Sequence, residues 1–498
     1  MAGQGVTPYL IILIAISTLG SLQFGFHLAE LNAPQDVITC HRKSVSTVAR
    51  LARFLTSVHD THDAVDDCIP MDEAAFATVS SIFTVGGLIG ALAAGPFSSR
   101  RGRLLAMRVT ALLFIAGSVI EAVANSVLVM ASGRFLSGIG AGAATVIVPL
   151  YISEVCPPDR RGFFGFMTQI SINVGILITQ TLGFFLSYGS AWRWNLGIGA
   201  FIATAQALGL LIVPESPAWL AAHDDVAGAN KTLQRIRGHA VDTREEGESW
   251  GRDASGAGEE EQGLLAQHAA ADADDVPPPN ATSAKNEPVH LGFLQVARDP
   301  NTRPVIIALV GIMFVQQLCG INSVIMYSVS LLADLLPISS ALLSILVSVV
   351  NLVTTVACSP LPDRLGRKTC LLMSIVGQGS SALVLALSIV FGFKIVSAFA
   401  VLFFVGFFAV GLGPVPFILA SELVGQEAVG ATQSWCLGAN YVATFLVAQF
   451  FPIVNKALNS WLGGHGWAYF IFAALAALSF VFVTWSFRSL RFHGATGN

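Results

Sequence analysis

Long uncharged runs recur along this chain, separated by short polar breaks. A helix that crosses a bilayer needs about 20 mostly apolar residues, because nothing in the hydrocarbon satisfies its backbone except the helix itself. Runs of that kind span Tyr9–Phe26, Ala74–Ser98, Val109–Gly133, Phe135–Ser153, Gly162–Ala191 and Trp194–Pro214. After a polar stretch come Pro304–Ala333, Leu335–Leu361, Thr369–Phe393, Ile395–Ser421, Ala428–Asn455 and Ala457–Phe487. The pattern predicts an all-α membrane protein with six spans, a polar insert and six more. The first run is as long as a span, with no basic segment before it and no clear small-residue cleavage site, so it is expected to be a span and not a cleaved leader.

Composition supports this. Hydrophobic residues make up 54% of the 498 and charged residues 12%, about half the charged share of a soluble domain. Mean hydropathy is +0.68. A soluble enzyme and a disordered chain are excluded. The net charge of −4 gives no basic footprint for nucleic acid.

Lys and Arg in short loops orient the spans. Arg100, Arg101 and Arg103, then Arg160 and Arg161, then Arg364, Arg367 and Lys368 all fall on one side of the predicted topology. That side is expected to be cytoplasmic, with both termini and the central stretch. The loop after the first span carries Arg42, Lys43, Arg50 and Arg53 on the opposite side, against the rule. It also holds Cys40 and Cys68, either a disulfide on an oxidising side or two free thiols. The other five cysteines lie in or beside spans and are expected to be packing residues.

Residues 1–221 and 301–498 are thus expected to form two six-helix bundles, with 222–300 a cytoplasmic linker. Asp225–Gly238 suits short amphipathic helices. Val241–Pro288 is acidic and low in complexity, as a disordered segment would be.

The halves repeat. Gly95-Pro96-Phe97-Ser98-Ser99-Arg100-Arg101-Gly102-Arg103 follows the second run, and Ser359-Pro360-Leu361-Pro362-Asp363-Arg364-Leu365-Gly366-Arg367-Lys368 follows the eighth. Parallel repeats of this kind build transporters with a mid-membrane site between halves. The arginines either anchor the cytoplasmic face or bridge carboxylates and helix C-termini to lock one conformer.

With these segments in place the chain resembles the sugar porter family of the major facilitator superfamily over nearly its whole length. It is similar to facilitative glucose transporters and to fungal vacuolar sugar-transporter-like members. Further matching segments are Gly20–Phe26 with Asn32-Ala33-Pro34-Gln35, Gly133-Arg134-Phe135, and Pro149–Glu154 with Arg160-Arg161-Gly162. Pro214-Glu215-Ser216-Pro217, Gln316–Asn322 and Gly413-Pro414-Val415-Pro416 complete the set. The resemblance implies twelve spans in two bundles, intracellular helices and alternating-access transport of a monosaccharide, a hexose first. A sugar-binding sensor using the acidic linker as output, or a carrier of a polyol or other small polar solute, is the alternative. The membrane is then the plasma or the vacuolar membrane.

A sugar needs partners that both donate and accept, set against apolar faces. Gln169, Gln316, Gln317, Asn322, Asn351 and Asn440 all fall inside runs, and the resemblance makes them sugar contacts, with Gln180 and Asn173 weaker candidates. Amides that merely join helices are the competing reading. Phe417 stands where glucose-selective members often carry Trp, Ala409 where they carry Glu, and Met326 where a Tyr is common, so the sugar need not be glucose.

The resemblance also implies cytoplasmic gating by Arg100, Arg101, Arg103, Glu154, Arg161, Glu215, Asp363, Arg364, Arg367 and Glu422. Glu154 and Arg161 form the family's pair at seven residues, whereas Val429 replaces the Arg that would partner Glu422 and Ser99 the usual acidic or Asn residue of its loop. A weak latch is expected. In span 1, His27 stands where proton-coupled members place Asp and passive ones Asn. With Glu30 one turn on and Arg134 facing it from span 4, it is a proton-coupling candidate or a neutral hydrogen-bonding group. Glu121, in span 3, receives no role. Gly138-Ile139-Gly140-Ala141-Gly142 has no strand before it and is read as helix packing, not a nucleotide loop. No cofactor or metal site is expected. The partners expected are a small sugar, protons in the coupled case, and the bilayer.

Overall fold

The computed structural model describes residues 6–40, 68–157, 160–238, 293–300, 302–332, 340–424 and 426–492. The basic and acidic residues expected in the first outer loop lie outside these, as do the acidic linker segment and the last six residues.

The described residues form helices and connecting turns. The first half comprises α1 (Pro8–Ala29), a short α2 (Gln35–Ile38), α3 (Glu73–Arg101), α4 (Arg103–Ala122), α5 (Val127–Val155), α6 (Arg161–Leu186) and α7 (Trp192–Gly209). Two amphipathic helices follow, α8 (Pro217–Ala222) and α9 (Val226–Arg237). The second half comprises α10 (Phe293–Arg298), α11 (Arg303–Leu318), α12 (Ile321–Leu332), α13 (Ser340–Cys358), α14 (Leu361–Leu365), α15 (Arg367–Val390), α16 (Lys394–Val410), α17 (Val415–Glu422), α18 (Gln426–Leu462) and α19 (Ala468–Phe492). Among the described residues, nine helical stretches are long and apolar enough to cross a membrane. The pair α11 and α12, bent by 42°, makes a tenth. Helices α7 and α13 occupy the positions of the sixth and eighth runs.

Several span boundaries differ from those the hydropathy pattern suggests. The third helix begins at Arg103, not Val109, because both arginines near its start have partners: Arg103 binds Glu154, and Arg108 Nη2 donates to the Leu210 carbonyl at 3.1 Å. It ends at Ala122, and α5 starts anew at Val127 with Ser126 accepting from the Val129 amide. The twelfth helix begins at Ala468, since residues 457–462 extend α18 up to the Gly463–Gly466 turn. The tenth run breaks between Val410 and Val415.

Helix α3 packs on α5 and α4 on both α5 and α7, while α1 lies against α6. In the second half α15 packs on α16 and α19, and α11 on α18. The halves meet where α3 lies along α18, and α6 along α13. The α3–α5 contact depends on backbones meeting without side chains. A Cβ on Gly142 would collide with the Gly87 carbonyl, and one on Gly138 with the Phe83 carbonyl. Gly142→Ala is therefore expected to lower stability by about 1–3 kcal/mol, read as a fall in the melting temperature of the detergent-purified protein.

Cys40 and Cys68 are joined in a disulfide. Cys156, Cys319, Cys370 and Cys436 are buried free thiols, and Cys358 is half-buried. Ile11, Leu112, Phe201, Val353, Phe403 and Val481 are among many large apolar side chains left exposed, as lipid-facing surfaces require.

Candidate functional site

Two breaks in apolar helices gather the polar groups of the second half. After Leu318 the chain turns at Gly320, whose φ of +94° suits glycine; a Cβ there would also meet the Phe472 ring. After Val410 the stretch Gly411–Pro414 interrupts the helix and frees backbone carbonyls in an apolar setting, where each needs a donor. Gln316 supplies it, its Nε2 donating to Leu412 O at 2.6 Å and Gly413 O at 3.2 Å.

From Gln316 the network continues through side chains alone. Asn440 Nδ2 donates to Gln316 Oε1 at 2.6 Å, and Gln317 Nε2 donates to Asn440 Oδ1 at 3.2 Å. Asn322 Nδ2 donates to Gln317 Oε1 at 2.6 Å and to Thr444 Oγ1 at 3.3 Å. Four of the six amides singled out from the sequence thus form one connected set on α11, α12 and α18.

The other two lie on a second set that crosses between halves. Asn173 of α6 donates to Thr355 Oγ1 of α13 at 2.8 Å, and Asn351 Nδ2 donates back to Asn173 Oδ1 at 3.4 Å. Gln169 Nε2 reaches Asn173 Oδ1 at 3.4 Å. Gln180 Nε2 reaches the Ile325 carbonyl of α12, also at 3.4 Å. Asn173, a weaker candidate by sequence, is the hub of this set. Phe417 is 39% exposed on α17 and has no described hydrogen bond or ring contact with either set. An aromatic that the sequence reading omitted, Tyr441, packs its ring against Gly87 and lies 3.4 Å from Thr145 Oγ1. Its place beside Asn440 in the sequence was the available signal.

The ionisable cluster is fully buried inside the first half. Arg134 Nη1 donates to the His27 carbonyl at 2.7 Å and forms an ion pair with Glu30 Oε1. His27 Nδ1 lies 3.0 Å from the same Glu30 oxygen, and its Nε2 lies 3.3 Å from Ser118 Oγ. The imidazole stacks on Phe114 with centroids 5.3 Å apart, and the guanidinium lies 4.5 Å over Phe83. Glu121, which the sequence reading left without a role, belongs here: Ser137 Oγ donates to its Oε1 at 2.7 Å. Ligand-type atoms of His27, Glu30 and Glu121 fall within 4.8 Å of one another. Arg134 already supplies a positive charge at that point, and a second cation beside it would be repelled.

At the other end of the first half the arginine turns take up their partners. Gly102 and Gly366 adopt matching conformations, φ +94° and +86°. The hydrogen bond from Arg103 Nη1 to Ser98 O at 3.0 Å recurs as that from Arg367 Nη1 to Pro362 O at 2.8 Å. The acidic partners differ. Arg103 binds Glu154 through Nε and Nη2, the latter at 2.7 Å, whereas Arg367 binds Asp363, four residues before it, at 2.7 Å. Glu215 accepts from the Arg103, Leu104 and Ser216 amides, holding the N-terminus of α4. Glu154 was paired with Arg161 by its spacing; its described partner is Arg103. The side chains of Arg161 and Glu422 lie outside the described residues. Arg100, Arg101 and Arg364 are exposed.

A family model described as sugar (and other) transporter matches residues 13–490. The chain belongs to that family. A probable metabolite transport protein of Saccharomyces cerevisiae is 32% identical over 484 residues, covering 96% of this chain and 92% of that protein. Vacuolar protein sorting-associated protein 73 of the same yeast is 31% identical over 96% of this chain and 93% of its own length. Human solute carrier family 2, facilitated glucose transporter member 3, is 29% identical, covering 93% and 87%. Among solved structures, the E. coli xylose transporter XylE in a partially occluded inward-open conformation superposes with a TM-score of 0.73 at 22% identity, covering 97% of this chain and 98% of that one. This is the major facilitator fold, and the molecule is an integral membrane carrier and not an enzyme.

Proposed function

We propose that this sugar-transporter-family member carries a monosaccharide, a hexose first, by alternating access. The observation that carries the reading is the Gln316–Asn440–Gln317–Asn322 chain of side-chain hydrogen bonds. Each link joins an amide donor to an amide acceptor, so a sugar hydroxyl, which is both, can replace a link without stranding either group. Gln169, Asn173 and Asn351 complete the site from the α6–α13 contact, and Phe417 contributes a face when the solute draws α17 inward. The glucose and xylose transporters among the relatives and fold neighbours support the solute class.

Residues 1–221 and 301–498 are the two units that rock, joined by 222–300. Arg100, Arg101, Arg103, Glu154, Arg161 and Glu215 gate the first, and Asp363, Arg364, Arg367 and Glu422 the second. The termini and linker face the cytoplasm, and the disulfide faces the opposite side. The yeast vacuolar protein-sorting relative favours the vacuolar membrane over the plasma membrane. The buried His27–Glu30–Arg134 group favours proton-coupled over passive transport, since an unused ion pair in a span is costly to retain.

The test is uptake of labelled hexoses, pentoses and polyols into proteoliposomes. Gln317 bonds only side chains in the described set, so Gln317→Ala is expected to raise KM about tenfold, one hydrogen bond's worth, with a small fall in melting temperature, since Asn440 Oδ1 loses its donor while Asn322 keeps Thr444. An unaltered KM for every transported solute would remove Gln317 from the site.

A further inference from the structure

We propose that Glu30 and Glu121 share one proton, and that this carboxyl pair, not His27, is the proton site of the carrier; the transport part of this rests on the proton-coupled reading above. The two side chains come from different helices, Glu30 at the end of α1 and Glu121 in the last turn of α4, and both are wholly buried. A carboxylate oxygen of each lies within 4.8 Å of one of the other. Each has one oxygen served by donors: Glu30 Oε1 by Arg134 and His27, Glu121 Oε1 by Ser137. Each has one oxygen, Oε2, that is buried with no donor.

Two carboxylate oxygens cannot satisfy each other, because both only accept. Two like charges side by side in a dry interior cannot both persist either. One proton between the pair removes both problems, turning one acceptor into a donor. The groups facing the pair are few. Helix α1 brings His27 and Glu30, α4 brings Glu121, and α5 brings Arg134. Helix α7 brings the neutral Asn195, which donates to the Glu30 carbonyl at 3.2 Å, and Arg193, which donates to the carbonyls of Ala122 and Ala124 just past Glu121. The titratable Tyr327 of α12 donates to the Ala448 carbonyl at 2.7 Å.

His27 is already accounted for as a neutral ring. Nδ1–H donates to Glu30 and Nε2 accepts from the Ser118 hydroxyl, a tautomer assigned from these partners. With one shared proton the cluster is then neutral, the remaining carboxylate balancing the guanidinium. Release of that proton to water leaves a net negative charge inside the bundle, with Arg134 facing two carboxylates. No other bond forms or breaks. The neutral form is the one that suits a closed, dehydrated conformer, which ties proton occupancy to the rocking step.

The test uses the full-length carrier in liposomes. Infrared spectroscopy in H2O and D2O detects a buried protonated carboxyl. Wild type and His27→Asn are expected to show the band, and Glu121→Gln to lose it, because Glu30 alone is balanced by Arg134. Glu30→Gln, a second variant, is expected to lose the same band with Glu121 then paired to Arg134. Absence of the band in wild type, or its survival in both Gln variants, overturns the pair. In a separate measurement, adding the transported sugar to weakly buffered liposomes is expected to raise the external pH in wild type and to do so at least tenfold less in Glu121→Gln. Sugar uptake by wild type with no pH change would overturn the proton-coupled reading, while the infrared band still decides the pair.

Discussion

Arg134→Ala is expected to leave little folded carrier. Its guanidinium is 1% exposed and touches Glu30, the His27 backbone and the Phe83 face together. Removing it strands carboxyl groups in a site closed to water. Breaking a buried pair from one side costs about 3–5 kcal/mol, a large share of a domain's net stability. The measurement is the monodisperse yield and melting temperature of detergent-solubilised protein. Glu30→Gln combined with Arg134→Met removes both charges and is expected to recover much of the loss, by the same argument in reverse. If Arg134→Ala melts like wild type, the cluster is wetter than its geometry implies.

The second large effect is expected at Gln316. Its Nε2 serves two carbonyls of the α16–α17 break, and its Oε1 accepts from Asn440 Nδ2. Gln316→Ala therefore has two consequences that Gln317→Ala does not share. The Leu412 and Gly413 carbonyls lose their donor, each at about 1–3 kcal/mol, and α17 is freed at its start. A melting temperature well below wild type is expected together with a KM at least tenfold higher. A raised KM with an unchanged melting temperature would mean that the break finds other donors, and that Gln316 serves the solute alone.

Much of the architecture is legible in the sequence because hydrocarbon leaves a helix no alternative partner, so every span must declare itself as an apolar run. The repeat is legible for a different reason: the Gly102 and Gly366 turns need the same backbone conformation, and glycine adopts it without strain. The breaks at Gly320 and Gly411–Pro414 are harder to see, because neither brings in a charged residue and the uncharged run continues past each. Gln316, Gln317 and Asn322 could be grouped by their shared run, whereas Asn440 joins them only through the packing of α18 on α11. Asn173 could not be promoted over Gln169, since that depends on how α6 is rotated against α13. Glu121 was visible as an ionisable group in a span, yet its partners lie on α1 and α5, and only the register between helices brings them together. Glu154 illustrates the same limit. Its seven-residue spacing to Arg161 is a local signal, while its bond to Arg103 joins residues 51 positions apart.

The described contacts of Arg103 and Arg367 give the two halves different local connections. In the first, Arg103 and its neighbouring amides tie α3, α4, α5 and the segment after α7 together through Glu154 and Glu215, with the Arg103–Glu154 side chains only 13% exposed. In the second, Arg367 grips an Asp363 that is 73% exposed and belongs to the adjoining turn, a contact worth little in water. Both interrupted spans, α11–α12 and α16–α17, also lie in that half. In the first half, a displacement of any one of α3, α4, α5 or the segment after α7 is thus passed to the other three through Arg103 and its neighbouring amides.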